Sequence, residues 1–196
     1  VAVTGVQTCA LPICYFEKCS KVVNLVINHY DGGYQAGKYL KELGHKKALC
    51  IADNFICMDK ERIEGFSKAF GAGETLRWEI PKTEKERMCF YEDKYSELIK
   101  SNVTAVFVVS DFYALEFMRF LQGKGIQIPK DIQIIGFDDN LASRESNPAL
   151  TTIHQEAPLR AKTAIKCLEA MRDGAECETE IVLPVELIKR ESTRKL

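Results

Sequence analysis

A short β-branched run gives the clearest pattern in this chain. Ile132, Ile134 and Ile135 form the run, which begins soon after Pro129 and ends abruptly in Gly-Phe-Asp-Asp at 136–139. An apolar run of this length predicts a strand that is covered on both faces, as in a parallel sheet. Ligands of open α/β sheets bind outside the carboxyl ends of the strands, so the strand end at 136–139 is a candidate site.

Strands and helices alternate along most of the remaining chain. The predicted strands lie at 22–27, 47–52, 76–80, 104–109, 180–183 and 185–188. Apolar residues at helical spacing predict helices at 34–43, 62–70, 91–100, 114–121 and 158–171. The charged segment Thr83–Met88 is predicted to be a solvated loop. The alternation predicts an α/β fold with doubly wound parallel sheets.

The residues at the candidate strand end fit a polyhydroxylated ligand. Asp138 and Asp139 supply acceptors for hydroxyl groups, and Phe137 supplies a ring face for C–H contacts. The alternative is that the two aspartates only cap the next turn. The pattern alone leaves both interpretations open.

Composition narrows the function classes. The 196 residues are 46% hydrophobic and 28% charged, with a net charge of −1. This balance is ordinary for a globular protein, and the sequence contains neither a basic patch for nucleic acid nor an apolar run of membrane-spanning length. The eight cysteines form no C-x-x-C pair, and the three histidines are not at ligand spacing from them. We therefore expect a reducing cytoplasm, no metal and no cofactor.

The first residues differ in character from the rest. Residues 3–13 read VTGVQTCALPI and resemble a translated sequencing adapter along the whole string. We therefore expect residues 1–14 to be a non-native segment that contributes nothing to the fold. On this interpretation the gene begins upstream, and the chain is a C-terminal fragment.

Six segments carry a family resemblance. They are, in chain order, DGGYQAGKYLKELGHKKALCIA, ERIEGFSKAF, TAVFVVSDFYAL, GKGIQIPKDIQIIGFDDN, NPALTTIHQ and LPVELIKREST. Together they resemble the LacI/GalR-type sugar-responsive regulators, over a match from about Val22 to Thr193. Within that family, the loop Asp53–Asp59 and the REST ending are most similar to the arabinose-repressor type, which has a GntR-like headpiece.

The resemblance implies the type I periplasmic-binding-protein fold, in which strands cross between two α/β lobes. On this basis, 22–45 and 155–176 are the remnant of a partial N-terminal lobe. Residues 46–153 and 177–193 then form a nearly complete C-terminal lobe. The DNA-binding headpiece would lie outside this chain.

The resemblance also implies an effector site. Its expected residues are Asp31, Arg62, Ser110, Asp111, Phe137, Asp138 and Gln155. A guanidinium at Arg62 suits vicinal sugar hydroxyls or a carboxylate, because it bonds two acceptors at once. From spacing alone, the favoured interpretation of Arg62 is instead a solvated helix residue paired with Glu61 or Asp59, and the alternative for Asp111 is a plain helix N-cap. Ser110 stands where the family usually has asparagine.

The expected function is effector binding by a bacterial DNA-binding transcription regulator. A sugar or related metabolite would close two lobes and change the affinity for operator DNA, in a cytoplasmic homodimer with no membrane partner. A periplasmic sugar-binding protein of an importer shares the fold and is the alternative. An enzyme is less favoured, because the sequence has no nucleophile elbow, phosphate-binding loop or metal-ligand spacing.

Overall fold

The computed structural model describes residues 23–54, 56–175 and 178–195. The expectation for residues 1–14 lies outside these ranges. The strands are β1 (Asn24–Ile27), β2 (Ala48–Ala52), β3 (Thr75–Glu79), β4 (Ala105–Val108), β5 (Gln133–Asp138), β6 (Thr151–Gln155), β7 (Glu180–Leu183) and β8 (Val185–Ile188). The α-helices are α1 (His29–Glu42), α2 (Cys57–Phe70), α3 (Glu84–Ser101), α4 (Asp111–Gly123), α5 (Leu141–Glu145) and α6 (Ala157–Arg172). No helix within the described ranges is long and apolar enough to cross a membrane.

The chain divides into two compact units. Within the described ranges, the smaller unit comprises residues 23–28, 156–175 and 178–184. The larger unit comprises residues 29–54, 56–155 and 185–195. Most of the described strands and helices therefore belong to the larger unit.

The larger unit is built on a six-stranded sheet in the order β3-β2-β4-β5-β6-β8. The first five strands are parallel, and β8 pairs antiparallel with β6 at the edge. Strands β2 and β4 are buried along their whole length, because helices cover both faces of a doubly wound sheet. The mostly parallel α/β fold that the sequence predicts is confirmed.

An aromatic cluster packs helices α3 and α4 against this sheet. Trp78 lies edge-on to Phe117, with ring centroids 6.1 Å apart, and Tyr91 lies 5.0 Å from Phe117. All three side chains are buried. Trp78 is the single tryptophan of the chain, so its fluorescence reports on the folding of the larger unit.

Helices α1 and α2 cross in direct backbone contact. A Cβ atom at Gly33 would lie 1.8 Å from the carbonyl oxygen of Arg62, and one at Gly65 would lie 2.0 Å from that of Tyr30. Only glycine allows two backbones to approach so closely. This contact joins α1 to the larger unit, whereas the expected division grouped 22–45 with the other lobe.

The last two strands also divide differently from the expectation, which kept 177–193 together. Strand β7 pairs in parallel with β1 of the smaller unit, with Ile181 opposite Leu25. Strand β8 instead joins the larger sheet. Pro184 separates the two strands, and because proline has no N–H to donate to a ladder, the chain changes sheet at that residue.

The segment Thr83–Met88, predicted to be a loop, instead begins helix α3, so that prediction is wrong. The Thr83 hydroxyl accepts a hydrogen bond from the backbone N–H of Glu86 at 3.4 Å and donates to the Glu86 carboxylate at 2.6 Å. A threonine followed three residues later by glutamate is a helix N-cap signal. The dense charge hid this signal, because a solvated helix face and a solvated loop have similar composition.

Asp139 anchors the turn after β5 through ion pairs. Its carboxylate accepts a hydrogen bond from Arg144 at 2.9 Å, contacts His154 Nδ1 at 2.8 Å and pairs with Arg190. Burial acts to raise the pKa of Asp139, but hydrogen bonds from Arg190 and Arg144 outweigh it and lower that pKa overall. Asp139 therefore stabilises the fold, and Asp138 is the aspartate left for a site.

The smaller unit exposes several apolar side chains. Helix α6 buries none of its residues, and Ile165 and Leu168 on it are 58% and 44% exposed. Val182 on strand β7 is 52% exposed. In the part of this unit that the structure describes, one two-stranded sheet and one helix are too small to cover such side chains.

The glycine contact between α1 and α2 gives a stability prediction. Gly33→Ala should lower the free energy of unfolding by about 2 to 4 kcal/mol, because the new Cβ meets backbone that cannot move aside. Gly123→Ala at the end of α4 is the control, since a Cβ there has nothing within 4 Å. That variant should keep its stability or gain up to about 1 kcal/mol. Urea unfolding followed by Trp78 fluorescence measures both, and equal stabilities would contradict the close contact.

The ion pairs of Asp139 give a second prediction. Asp139→Ala should lower the free energy of unfolding by about 3 kcal/mol, because it leaves the half-buried Arg190 without its carboxylate. Glu92→Ala breaks an ion pair with Lys124 of 2.6 Å that is more exposed, and should lose less than about 1 kcal/mol.

The loss at Asp139 should also depend on pH. A carboxyl with a lowered pKa stabilises the fold above its ordinary pKa, and that contribution disappears as the pH falls through the lowered value. The stability difference between wild type and Asp139→Ala should therefore shrink in acid. A difference that stays constant down to the acid transition would show that Asp139 acts by packing alone.

Candidate functional site

The strand ends of the larger sheet bring several polar side chains to one edge. Asp53 and Ser110 follow β2 and β4, and Asp138 and Gln155 are the last residues of β5 and β6. Arg62 comes from helix α2, which follows β2. Because these four strands are parallel, their carboxyl ends lie at the same edge, and the polar groups converge there.

Arg62 is fixed within this edge. Its side chain is buried, with the residue 8% exposed. Nε donates to His29 Nδ1 at 3.1 Å, and Nη1 donates to the carbonyl oxygen of Val109. The guanidinium carbon lies 3.8 Å from the centroid of the Phe137 ring. These contacts hold the guanidinium in one plane and exclude the alternative of a solvated Arg62.

Arg62 keeps hydrogen-bond donors for a ligand. Within the described residues its ion pair is between Nη1 and Asp59, at 3.8 Å, and Nη2 has no hydrogen-bond partner. Asp138 is the carboxylate whose charge raises the pKa of Arg62 most, although no direct ion pair joins Arg62 to Asp138 among the described residues. The two groups thus leave a donor and an acceptor that one ligand can bridge.

Asp138 is oriented by its neighbours. Gln155 Nε2 donates to its Oδ1 at 2.6 Å, and the Ser110 hydroxyl donates to its Oδ2 at 3.3 Å. Its backbone has a φ of 126°, which a residue other than glycine rarely adopts and which the surrounding contacts must hold. Burial raises the pKa of Asp138 to about 6, against the lowering effect of the Arg62 charge.

Two carboxylates outside the expected site also lie in this group. Asp59 pairs with Arg62, and burial raises the pKa of Asp59 to about 7, with a further contribution from Asp53. The Tyr113 hydroxyl donates to Asp53 at 3.3 Å. The only signal in the sequence was the resemblance of the loop Asp53–Asp59 to one regulator type, because spacing does not say where a loop carboxylate points.

Asp111 supports the site from within and has no exposed surface. The Thr152 hydroxyl donates to one of its oxygens at 2.5 Å, and the backbone N–H of Asn140 donates to the other at 3.0 Å. Burial raises the pKa of Asp111, and those hydrogen bonds oppose the rise. The N-cap of α4 is Ser110, whose hydroxyl accepts from Phe112, so neither the expected effector contact nor the N-cap alternative describes Asp111 in this structure.

Phe137 is also fully buried. Its ring lies under the Arg62 guanidinium and 6.2 Å from the His29 ring. A Cβ at Gly32 would approach the ring to 2.6 Å, so Phe137 is enclosed on that side too. The ring face that was expected to contact a ligand is therefore occupied by Arg62.

Asp31 lies in the first turn of α1, where Gln35 Nε2 donates to its carboxylate at 2.7 Å. Gln35 also donates to the carbonyl oxygen of Val185 at 3.1 Å and accepts from the backbone N–H of Leu187 at 3.0 Å. These contacts tie Asp31 to strand β8. The structure does not join it to Arg62 or Asp138 through any of them.

An exposed aromatic ring lies at the rim of this group. Phe112 is 60% exposed and packs edge-on against Tyr113, with centroids 5.3 Å apart. Tyr113 in turn bonds Asp53, which connects the ring to the polar cluster. No sequence pattern distinguished the exposed Phe112 from the buried Phe137, because each comes just after an apolar run in the sequence.

The arrangement is suited to noncovalent recognition of a hydroxylated ligand. Arg62 supplies donors, Asp138 supplies an acceptor and Gln155 supplies an amide. Each of these side chains is also held in place by a hydrogen bond within the protein. Among the described residues, no group of three or more His, Cys, Asp or Glu side chains is arranged to hold a metal ion.

Comparisons with known proteins agree with this picture. The periplasmic binding protein-like domain family matches residues 38–193. The HTH-type transcriptional repressor PurR of Vibrio atlanticus (strain LGP32) is 32% identical over 185 residues, which cover 90% of this chain and 54% of that repressor. The chain thus spans about half the length of this relative.

Solved structures give the same result. A LacI family transcriptional regulator from Enterococcus faecium with bound ribose is similar with a TM-score of 0.80 and 27% identity, over 92% of this chain and 68% of that chain. The lac repressor dimer bound to operator and an anti-inducer has a TM-score of 0.76 and 25% identity, over 90% of this chain and 54% of that chain. The family model covers most of the chain, and the chain therefore belongs to the periplasmic binding protein-like domain family, as an effector-binding region of the LacI/GalR type.

Proposed function

We propose that this chain is the part of a bacterial transcription regulator that binds a sugar or a related small metabolite. Binding would change the affinity of the complete protein for operator DNA, through a headpiece outside this chain. The complete protein would act as a cytoplasmic homodimer. It would bind its ligand without converting it.

The observation that carries the proposal is the pairing of a fixed donor with a fixed acceptor. Arg62 is buried and immobilised by His29, yet Nη2 has no partner among the described residues. Asp138 is oriented by Gln155 and Ser110. Such a pair recognises adjacent hydroxyl groups, which are the repeating feature of sugars.

The relatives support a regulator over the other classes. The Vibrio relative is a transcriptional repressor, the Enterococcus regulator holds ribose, and the lac repressor dimer is bound to operator. A sugar importer's binding protein shares the fold and would need no DNA. The polar cluster of the larger unit serves binding without requiring turnover.

Substitutions at the two central residues test the proposal. Arg62→Lys and Asp138→Asn should each weaken sugar binding by about 10- to 100-fold, because each removes a charge-assisted hydrogen bond. The complete regulator is titrated by calorimetry with D-ribose, D-xylose, L-arabinose and cellobiose. Arg172→Lys and Asp173→Asn are the controls, since they alter an exposed ion pair outside the larger unit and should not change affinity.

The outcomes separate the candidate functions. Sugar binding that releases or recruits an operator fragment supports the regulator. Sugar binding by a complete protein without any affinity for DNA favours the importer class. Ligand recovered in altered form after incubation favours an enzyme.

Sugar binding should also weaken in mild acid. Asp138 accepts hydroxyl hydrogen bonds best when ionised, and its pKa is about 6, so affinity should fall by up to about tenfold per pH unit below that value. Calorimetric titrations at several pH values between about 5 and 8 measure the pH dependence of the sugar affinity. In Asp138→Asn the decline below pH 6 should disappear, and its persistence would place the titrating group elsewhere.

A further inference from the structure

We propose that the effector carries no negative charge, and that Asp53 and Asp59 exclude sugar phosphates and sugar acids from this site. The inference rests on the proposed function, because it assigns a ligand class to the same site. It decides between the two kinds of partner that a guanidinium at Arg62 suits, vicinal hydroxyls and a carboxylate.

Negative groups outnumber positive ones around the guanidinium. The carboxylates whose charges act on Arg62 are, in decreasing order, Asp138, Asp59, Asp111 and Glu61. Asp53 adds its charge to Asp59 from the neighbouring loop. An anionic group placed at Nη2 would meet one cation and several carboxylates, in a site that water screens poorly.

The guanidinium is also partly committed before any ligand arrives. Asp59 lies 3.8 Å from Nη1, and its side chain is only 16% exposed. Nε donates a hydrogen bond to His29 Nδ1, so Nε and Nη2 cannot together bind the two oxygens of one anion. Carboxylates and phosphates bind arginine best through such paired donors, whereas a hydroxyl oxygen needs only one.

Three other arginines of the larger unit are held by carboxylates. Arg87 donates from both Nε and Nη2 to Glu116, at 2.7 Å each. Arg144 and Arg190 both pair with Asp139. None of the three is left to balance a negative charge on a ligand at Arg62.

The protonation of the carboxylates agrees with a neutral ligand. Burial and the neighbouring Asp53 raise the pKa of Asp59 to about 7, so both its protonated and its ionised forms are populated near neutral pH. In its two forms, Asp59 can donate to or accept from a hydroxyl group. An added anion would oppose the ionisation of every carboxylate in the group.

Paired probes test the proposal on the complete regulator. The pairs are D-ribose with D-ribose 5-phosphate, D-glucose with D-glucose 6-phosphate, and L-arabinose with L-arabinonate, each titrated by calorimetry. The neutral ether 5-O-methyl-D-ribose separates the effect of size from that of charge. The variants are Asp53→Asn, Asp59→Asn and their combination, and Asp93→Asn on the exposed face of α3 is the matched control.

Wild type should bind the neutral member of its preferred pair at least about 100-fold more tightly than the anionic member, and should bind the neutral ether better than the phosphate. The double variant should narrow that ratio by about tenfold or more, whereas Asp93→Asn should leave it unchanged.

A wild type that prefers the anionic member of any pair overturns the inference and leaves the proposed function intact. An unchanged ratio in a folded double variant removes the role of Asp53 and Asp59. Failure to bind any probe overturns the proposed function and this inference with it.

Discussion

The buried guanidinium of Arg62 is the group on which the site depends. A charge that is removed from water is tolerated only when nearby groups replace the lost hydration. His29 and Val109 supply neutral acceptors, Phe137 supplies a ring face, and the surrounding carboxylates supply opposite charge. These partners come from the start of α1, the end of β4 and strand β5, so the site forms only when the larger unit is folded.

Two features of the backbone make that arrangement possible. The glycines at the crossing of α1 and α2 let the helices touch, which brings His29 within reach of Arg62. At the end of β5, the adjacent residues Asp138 and Asp139 both have positive φ, and their carboxylates have different roles. Asp139 takes the ion pairs that anchor the turn, and this leaves the carboxylate of Asp138 to polar donors that a ligand can supplement.

On the proposed assignment, the excess of carboxylates around Arg62 would make the candidate site selective among polar ligands. Asp59 and Asp138 both have raised pKa values, because burial disfavours their charged forms more than Arg62 stabilises them. Hydroxyl groups relieve this cost by donating hydrogen bonds. On the proposed assignment anions would add to this cost, so the burial that orients the groups would also select among ligands.

The sequence by itself determined the parallel α/β architecture and the strand end that carries the candidate site, and its family resemblance grouped Arg62, Ser110, Asp138 and Gln155, which the structure brings together. These features can be identified from apolar runs and family motifs, each of which lies within one short segment of the sequence. Only the tertiary structure decided that Phe137 and Asp111 are covered, that Asp53 and Asp59 adjoin the guanidinium, and that α1 belongs to the larger unit. The physical reason is that burial and charge environment are set by neighbours distant in sequence, which no local pattern contains.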